Sequence, residues 1–149
     1  MKPLLALTLL AFAAVPATAQ DSAPDEEVPS IMNAEEVDST DFLWIKRLLV
    51  VFSDTPADPQ YIEQMGYITD RLDALTYRDV VVITDADPSA RSEVRQRLRP
   101  RGFNLVLIGK DGEIYLRKPA PWHVREIVRS IDKLPARQRE MREGKAGES

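Results

Sequence analysis

Five oxygen-bearing side chains gather in two short stretches of the chain: Asp54, Thr55 and Asp58 follow the apolar run Leu48–Phe52, and Asp85 and Asp87 follow Val80–Ile83. Several carboxylates at neighbouring loop positions suit a hard divalent cation bound through oxygen. They also suit a general base whose pKa is raised by burial or by like charge. Each acid has a structural use as well. Asp58 precedes Pro59 and fits a helix N-cap, Asp85 and Asp87 precede Pro88 in a turn, and Asp54 opens a loop. No metal site and no cofactor is assigned on this pattern.

The second charged feature is basic. Arg91, Arg95, Arg97, Arg99 and Arg101 place five guanidinium groups in eleven residues. On a helix Arg91 and Arg95 share a face, and Arg97 to Arg101 run into a turn. This pattern suits an anionic partner such as phosphate, an acidic protein or lipid headgroups, or simply a solvated helix face. Nucleic acid is a poor match, because residues 46–149 carry only 19 basic against 16 acidic side chains. His123 is the sole histidine. With no nucleophile placed beside it, it reads as a structural residue. Trp44 and Trp122 read as packing residues, although the prolines near Trp122 would also suit a partner surface.

The chain contains no cysteine. Thiolate catalysis, thiolate metal sites and disulfides are therefore excluded, and stability must come from an apolar core.

The chain opens with Lys2, an apolar run from Leu4 to Val15, and Ala17-Thr18-Ala19. These are the parts of a secretory signal, with cleavage predicted after Ala19 and a periplasmic address expected, secretion being the alternative. The apolar run is short of the roughly 20 residues that span a bilayer. Residues 20 to 45 hold eight acidic side chains and no basic one, and residues 46 to 149 hold 16 acidic and 19 basic. Residues 20–41 are thus expected to be a disordered acidic leader, a fold-back over the domain's arginines as an electrostatic cover being the less favoured alternative. The folded domain is expected at 42–134 and a charged tail at 135–149. The tail is too polar to pack alone, so it should extend the last helix briefly and then fray.

The elements that must position these groups follow from periodicity. Leu48–Phe52 is a continuous apolar run, as for a strand covered on both faces. Tyr61, Met65, Ile68, Leu72 and Leu75 recur at spacings of four and three, one face of a helix opened by Pro59. Val80–Ile83 is a second buried strand, made parallel to the first by the crossover helix. Residues 89–99 are helix-compatible and end at Pro100. Asn104–Ile108 is a third strand, and Gly109-Lys110-Asp111-Gly112 turns it into the alternating edge strand 113–117. Val124, Ile127, Val128, Ile131 and Leu134 form the stripe of a last helix entered through Pro121.

The order β-α-β-α-β-β-α defines an α/β protein with a three-layer α/β/α core of the thioredoxin-like, peroxiredoxin type. A flavodoxin-type doubly wound sheet is disfavoured by the Asp-Gly hairpin and the shortage of strands. In redox thioredoxins the first strand-to-helix loop carries Cys-x-x-Cys. The matching positions here are near Ala57 and Gln60, and the usual proline before the third strand falls near Phe103. Disulfide exchange and thiol peroxidase chemistry are excluded. An aspartate–lysine phosphorylation site using Lys110 would need five β/α units, which the chain lacks.

Three stretches, LWIKRLLVVF (43–52), FNLVLIGKDGEIYLR (103–117) and IDKLPARQREMREG (131–144), together resemble an uncharacterised thioredoxin-like family of exported bacterial proteins, the domain of unknown function 4174. That domain also appears in extracellular vertebrate proteins, some with sushi repeats. The resemblance covers most of residues 42–144, with Trp44, Lys46 and Arg47 matching the family's start and Gly109, Lys110, Asp111 and Gly112 its turn. It implies the same fold in an exported setting and brings no catalytic residues. The function expected is binding of a periplasmic protein or anionic ligand. The surfaces offered are the crevice of Asp54, Thr55, Asp58, Asp85 and Asp87 and the arginine stretch. The alternative is carboxylate-dependent metal binding or hydrolysis.

Overall fold

The computed structural model describes Val28 and residues 30–147. Its sheet has five strands: β1 (Ile31–Asn33), β2 (Arg47–Phe52), β3 (Val80–Asp85), β4 (Asn104–Ile108) and β5 (Ile114–Lys118), in the spatial order β1-β3-β2-β4-β5. The pairs β1–β3 and β2–β3 are parallel, and β2–β4 and β4–β5 are antiparallel. The helices are α1 (Pro59–Asp70), α2 (Leu72–Thr76), α3 (Glu93–Leu98), α4 (Val124–Asp132) and α5 (Pro135–Gly147).

Strand alternation divides the core into two layers. Leu49, Val51, Val80, Val82, Leu105 and Leu107 face α1, α2 and α4, where Ile68, Leu75, Val124, Ile127 and Ile131 close over them. Leu48, Val50, Phe52, Val81, Ile83, Val106 and Ile108 face the other way, onto Val94 and Leu98 of α3 and onto Ala34 and Phe42. All six residues of β2 are buried, as its unbroken apolar run requires.

The expected helix over 59–75 is interrupted at Arg71, whose φ of −132° ends α1 and begins α2. Asp58 caps α1 through a 2.9 Å bond from the Gln60 amide, and Pro59 occupies the first turn. The helix expected over 89–99 is shorter. Arg91 adopts a left-handed φ of 51° after a single helical turn, and α3 starts only at Glu93, capped by Ser92.

Both ends of the chain depart from expectation. The leader was expected to be disordered to residue 41, but Ile31–Asn33 forms the edge strand β1, and Asn33 and Asp38 cap the single-turn helices that follow. A three-residue strand is too short to show a period amid so many acids. Residues 20–27 and 29, with the signal segment, lie outside the described residues. The tail does not simply prolong α4. Its helix α5 docks on the domain through charge, with Arg137 only 7 % exposed.

Candidate functional site

The strand-to-helix junction is knit together by its own polar groups. The Ser53 hydroxyl donates to the Thr55 carbonyl at 2.7 Å and lies 3.2 Å from Asp58 Oδ2. Asp85, buried at the end of β3, accepts from the Ser92 hydroxyl at 2.5 Å and from Arg95 Nη2 at 2.9 Å and Nε at 3.1 Å. Arg95 Nη2 also donates to the Ser53 carbonyl at 2.8 Å, tying β2, β3 and α3 into one cluster. Its guanidinium stands 5.4 Å from the Phe52 ring centroid. Asp87 accepts from the hydroxyl and the amide of Ser89, bonds that hold its carboxyl below the usual range. Asp54 and Thr55 are exposed, the Thr55 hydroxyl accepting from the Ala57 amide.

The acids that share this end of the sheet therefore do not form a ligand set. Among the described residues no group of three or more His, Cys, Asp or Glu side chains is placed to hold a metal ion. The cavity beside them is small, about 180 Å3, and is bounded by Asn33, Glu35, Tyr61, Thr84, Asp85 and Asp87. Burial raises the Tyr61 hydroxyl pKa there.

The arginine run is not one surface. Arg95 is internal, paired with Asp85. Arg97 donates to the Ser39 hydroxyl at 2.8 Å and to the Gly112 carbonyl at 3.2 Å, clasping α3 to the hairpin and the N-terminal segment. Arg91, Arg99 and Arg101 are exposed, and among the described residues their guanidinium groups have no acceptor. Arg91 and Arg99 both have left-handed backbones, with φ of 51° and 48°, ending short helices in a conformation that side chains disfavour.

His123 caps α4 by backbone alone and stacks on Tyr67, ring centroids 4.1 Å apart. Trp122 is half-buried and pinned by the fully buried Gln64, which donates to its carbonyl at 2.9 Å and accepts from its amide at 2.7 Å. Trp44 corrects the expectation of a packing residue: it is 76 % exposed at a φ of 66°, its amide donating to the Lys110 carbonyl at 2.7 Å.

At the opposite end of the sheet lies an ionic cluster that periodicity does not reveal. Arg47, 1 % exposed, donates to Glu140 at 2.9 Å and 3.3 Å and to the Arg78 carbonyl at 2.9 Å. Lys110 contacts Glu140 at 2.9 Å and Asp79 at 2.8 Å. Burial pushes the Glu140 carboxyl up, but its bonds to Arg47 and Lys110 outweigh that and bring it down to about 2. Beside the cluster opens a cavity of about 440 Å3 walled by Trp44, Tyr115, Leu134 and Arg139. The sequence signals were an arginine opening an apolar strand and arginine–glutamate spacing in the polar tail.

Residues 39–140 match the family model described as Domain of unknown function (DUF4174). The chain belongs to this family. The DUF4174 match runs from the turn before β2 into α5, so the ionic cluster lies within it. No curated protein matches the chain. Among solved structures, a reduced 2-Cys peroxiredoxin of Plasmodium vivax aligns at a TM-score of 0.56 and 16% identity, over 71% of this chain and 85% of that one. Thioredoxin peroxidase I of Plasmodium yoelii aligns at 0.53 and 18%, over 69% and 80%. At such identities the likeness is one of fold: this DUF4174 domain is thioredoxin-like.

Proposed function

We propose that this chain is a non-redox binding module, exported to the periplasm, that engages an anionic partner through Arg91, Arg99 and Arg101. The observation that carries this reading is the split within the arginine run: Arg95 and Arg97 are bonded to protein acceptors, whereas the other three are exposed and find no acceptor among the described residues. Exposed arginines on one connected segment raise the local concentration of anions and steer their approach. The alternative, a carboxylate site, has less support, since three of its four acids are engaged within the protein: Asp58 and Asp87 cap helices and Asp85 is bonded to Ser92 and Arg95. Peroxidation of the kind named for the structural neighbours has no nucleophile in a chain without cysteine.

Export rests on Lys2, the run Leu4–Val15 and Ala17-Thr18-Ala19. Among the described residues no helix is long and apolar enough to cross a membrane. The test is crosslinking in intact cells followed by fractionation. The chain should be recovered from the periplasm with a crosslinked partner, and the variant Arg91→Glu/Arg99→Glu/Arg101→Glu should lose that product. Recovery from the cytoplasm, or an undiminished crosslink, would contradict the reading.

A further inference from the structure

The cluster under α5 joins five cations, Lys46, Arg47, Arg78, Lys110 and Arg137, to three carboxylates, Asp79, Asp132 and Glu140. The excess positive charge is not shared evenly. Arg47 is bonded to Glu140 and a carbonyl, and Arg78 is bonded to both oxygens of Asp132 and to the Ala74 carbonyl. Arg137 is 7 % exposed yet makes a single hydrogen bond among the described residues, from Nη1 to Glu140 at 3.3 Å. Its Nε is buried and has no hydrogen-bond acceptor among the described residues, its ion-pair partner Asp132 standing 3.6 Å away. A guanidinium carries five N–H donors, and burying one of them unfilled is unfavourable unless something else accepts it.

Arg137 lines a cavity of about 410 Å3 with Tyr77, Glu140, Met141, Gly144 and Lys145. Its volume falls in the range of small-molecule sites. Tyr77 is 75 % exposed, and the guanidinium lies 5.3 Å from its ring centroid. A large aromatic left open beside an under-bonded arginine supplies an apolar wall and a planar donor. Glu140 and Asp132 are no obstacle to an anion, because Arg47 and Lys110 neutralise the first and Arg78 the second.

We propose that this cavity binds a small carboxylate carried on an apolar or aromatic body, with Arg137 receiving the carboxylate and Tyr77 and Met141 the body. Two coplanar carboxylate oxygens match the edge of a guanidinium. The site is separate from the arginines of α3 and its following loop and does not depend on them.

The test is a titration of the isotope-labelled full chain with benzoate, its neutral isostere benzamide and inorganic phosphate. The Arg137 Nε–H resonance and the amides of Tyr77, Met141 and Gly144 report binding. Benzoate should shift these signals, and benzamide should not at the same concentration. Arg137→Lys keeps the charge but loses the fork, and should weaken benzoate binding roughly tenfold. Tyr77→Ala, at an exposed position, should weaken it while leaving the melting temperature near that of the parent. No shift up to the solubility limit would overturn the proposal, as would an equal response to benzamide or to phosphate. Shifts confined to Arg91, Arg99 and Arg101 would overturn it too, while leaving the binding reading above intact.

Discussion

Replacing Glu140 by glutamine removes the carboxylate that joins α5 to Arg47 and Lys110 while keeping its shape. Its carboxyl is held at about 2, against an ordinary value of 4.5. At about 1.4 kcal/mol per unit, the depressed pKa corresponds to roughly 3 kcal/mol of folding free energy. A carboxyl depressed in the folded state contributes fully above its unfolded pKa and loses that contribution as pH falls through the folded value. The parent should therefore lose about 3 kcal/mol from this group between about pH 5 and pH 2. Glu140→Gln should be about 3 kcal/mol less stable near neutrality, since it leaves the buried Arg47 without its counter-charge. The two proteins should converge at the acid end. Urea denaturation across that pH range is the assay, and Asp132 titrates in both, so its effect cancels. Parallel stability curves, with a constant gap at every pH, would refute the argument that this ion cluster is what docks α5.

Asp85→Asn leaves Arg95 buried without its charge and should cost about 3 kcal/mol in urea unfolding; a cost under about 1 kcal/mol would mean the pair is solvated. Gln64→Leu strips both bonds from the Trp122 backbone and should cost about 3 kcal/mol, with a shift in the environment of Trp122 seen in its fluorescence. Arg99→Gly should raise stability by about 1 kcal/mol, because the residue ends α3 at a left-handed φ of 48°, and should at the same time weaken anion binding. Thermal melts with and without a polyanion separate those two effects.

The order of elements from β2 onward was readable because its strands are apolar runs and its hairpin carries Asp-Gly, signals that owe nothing to distant residues. The edge strand β1 was not, since two apolar residues within an acidic stretch acquire meaning only beside Val82 and Ile83. Helix α5 was misread for a related reason. Its hydrophobicity is too low to predict docking, and what anchors it is Arg47, nearly a hundred residues earlier. At the junction, Asp58 acts as the cap that Pro59 suggested, whereas Asp87, read from the sequence as a turn residue, caps the single helical turn that follows it. Asp85 and Arg95 belonged to separate candidate groups, one acidic and one basic, until the fold brought them together. Composition places charges along the chain; pairing decides which remain open, and here three of the five arginines do.

The central claim is that the domain works by holding an anion through those three arginines. The most direct measurement is a titration of the isotope-labelled chain with polyglutamate, comparing signals from residues 91–101 with those from residues 53–58. The account predicts shifts at Arg91, Arg99 and Arg101 that fade as salt is raised and vanish in the triple glutamate variant. Silence at those residues, or a response to divalent cations centred on Asp54 and Asp58, would contradict it.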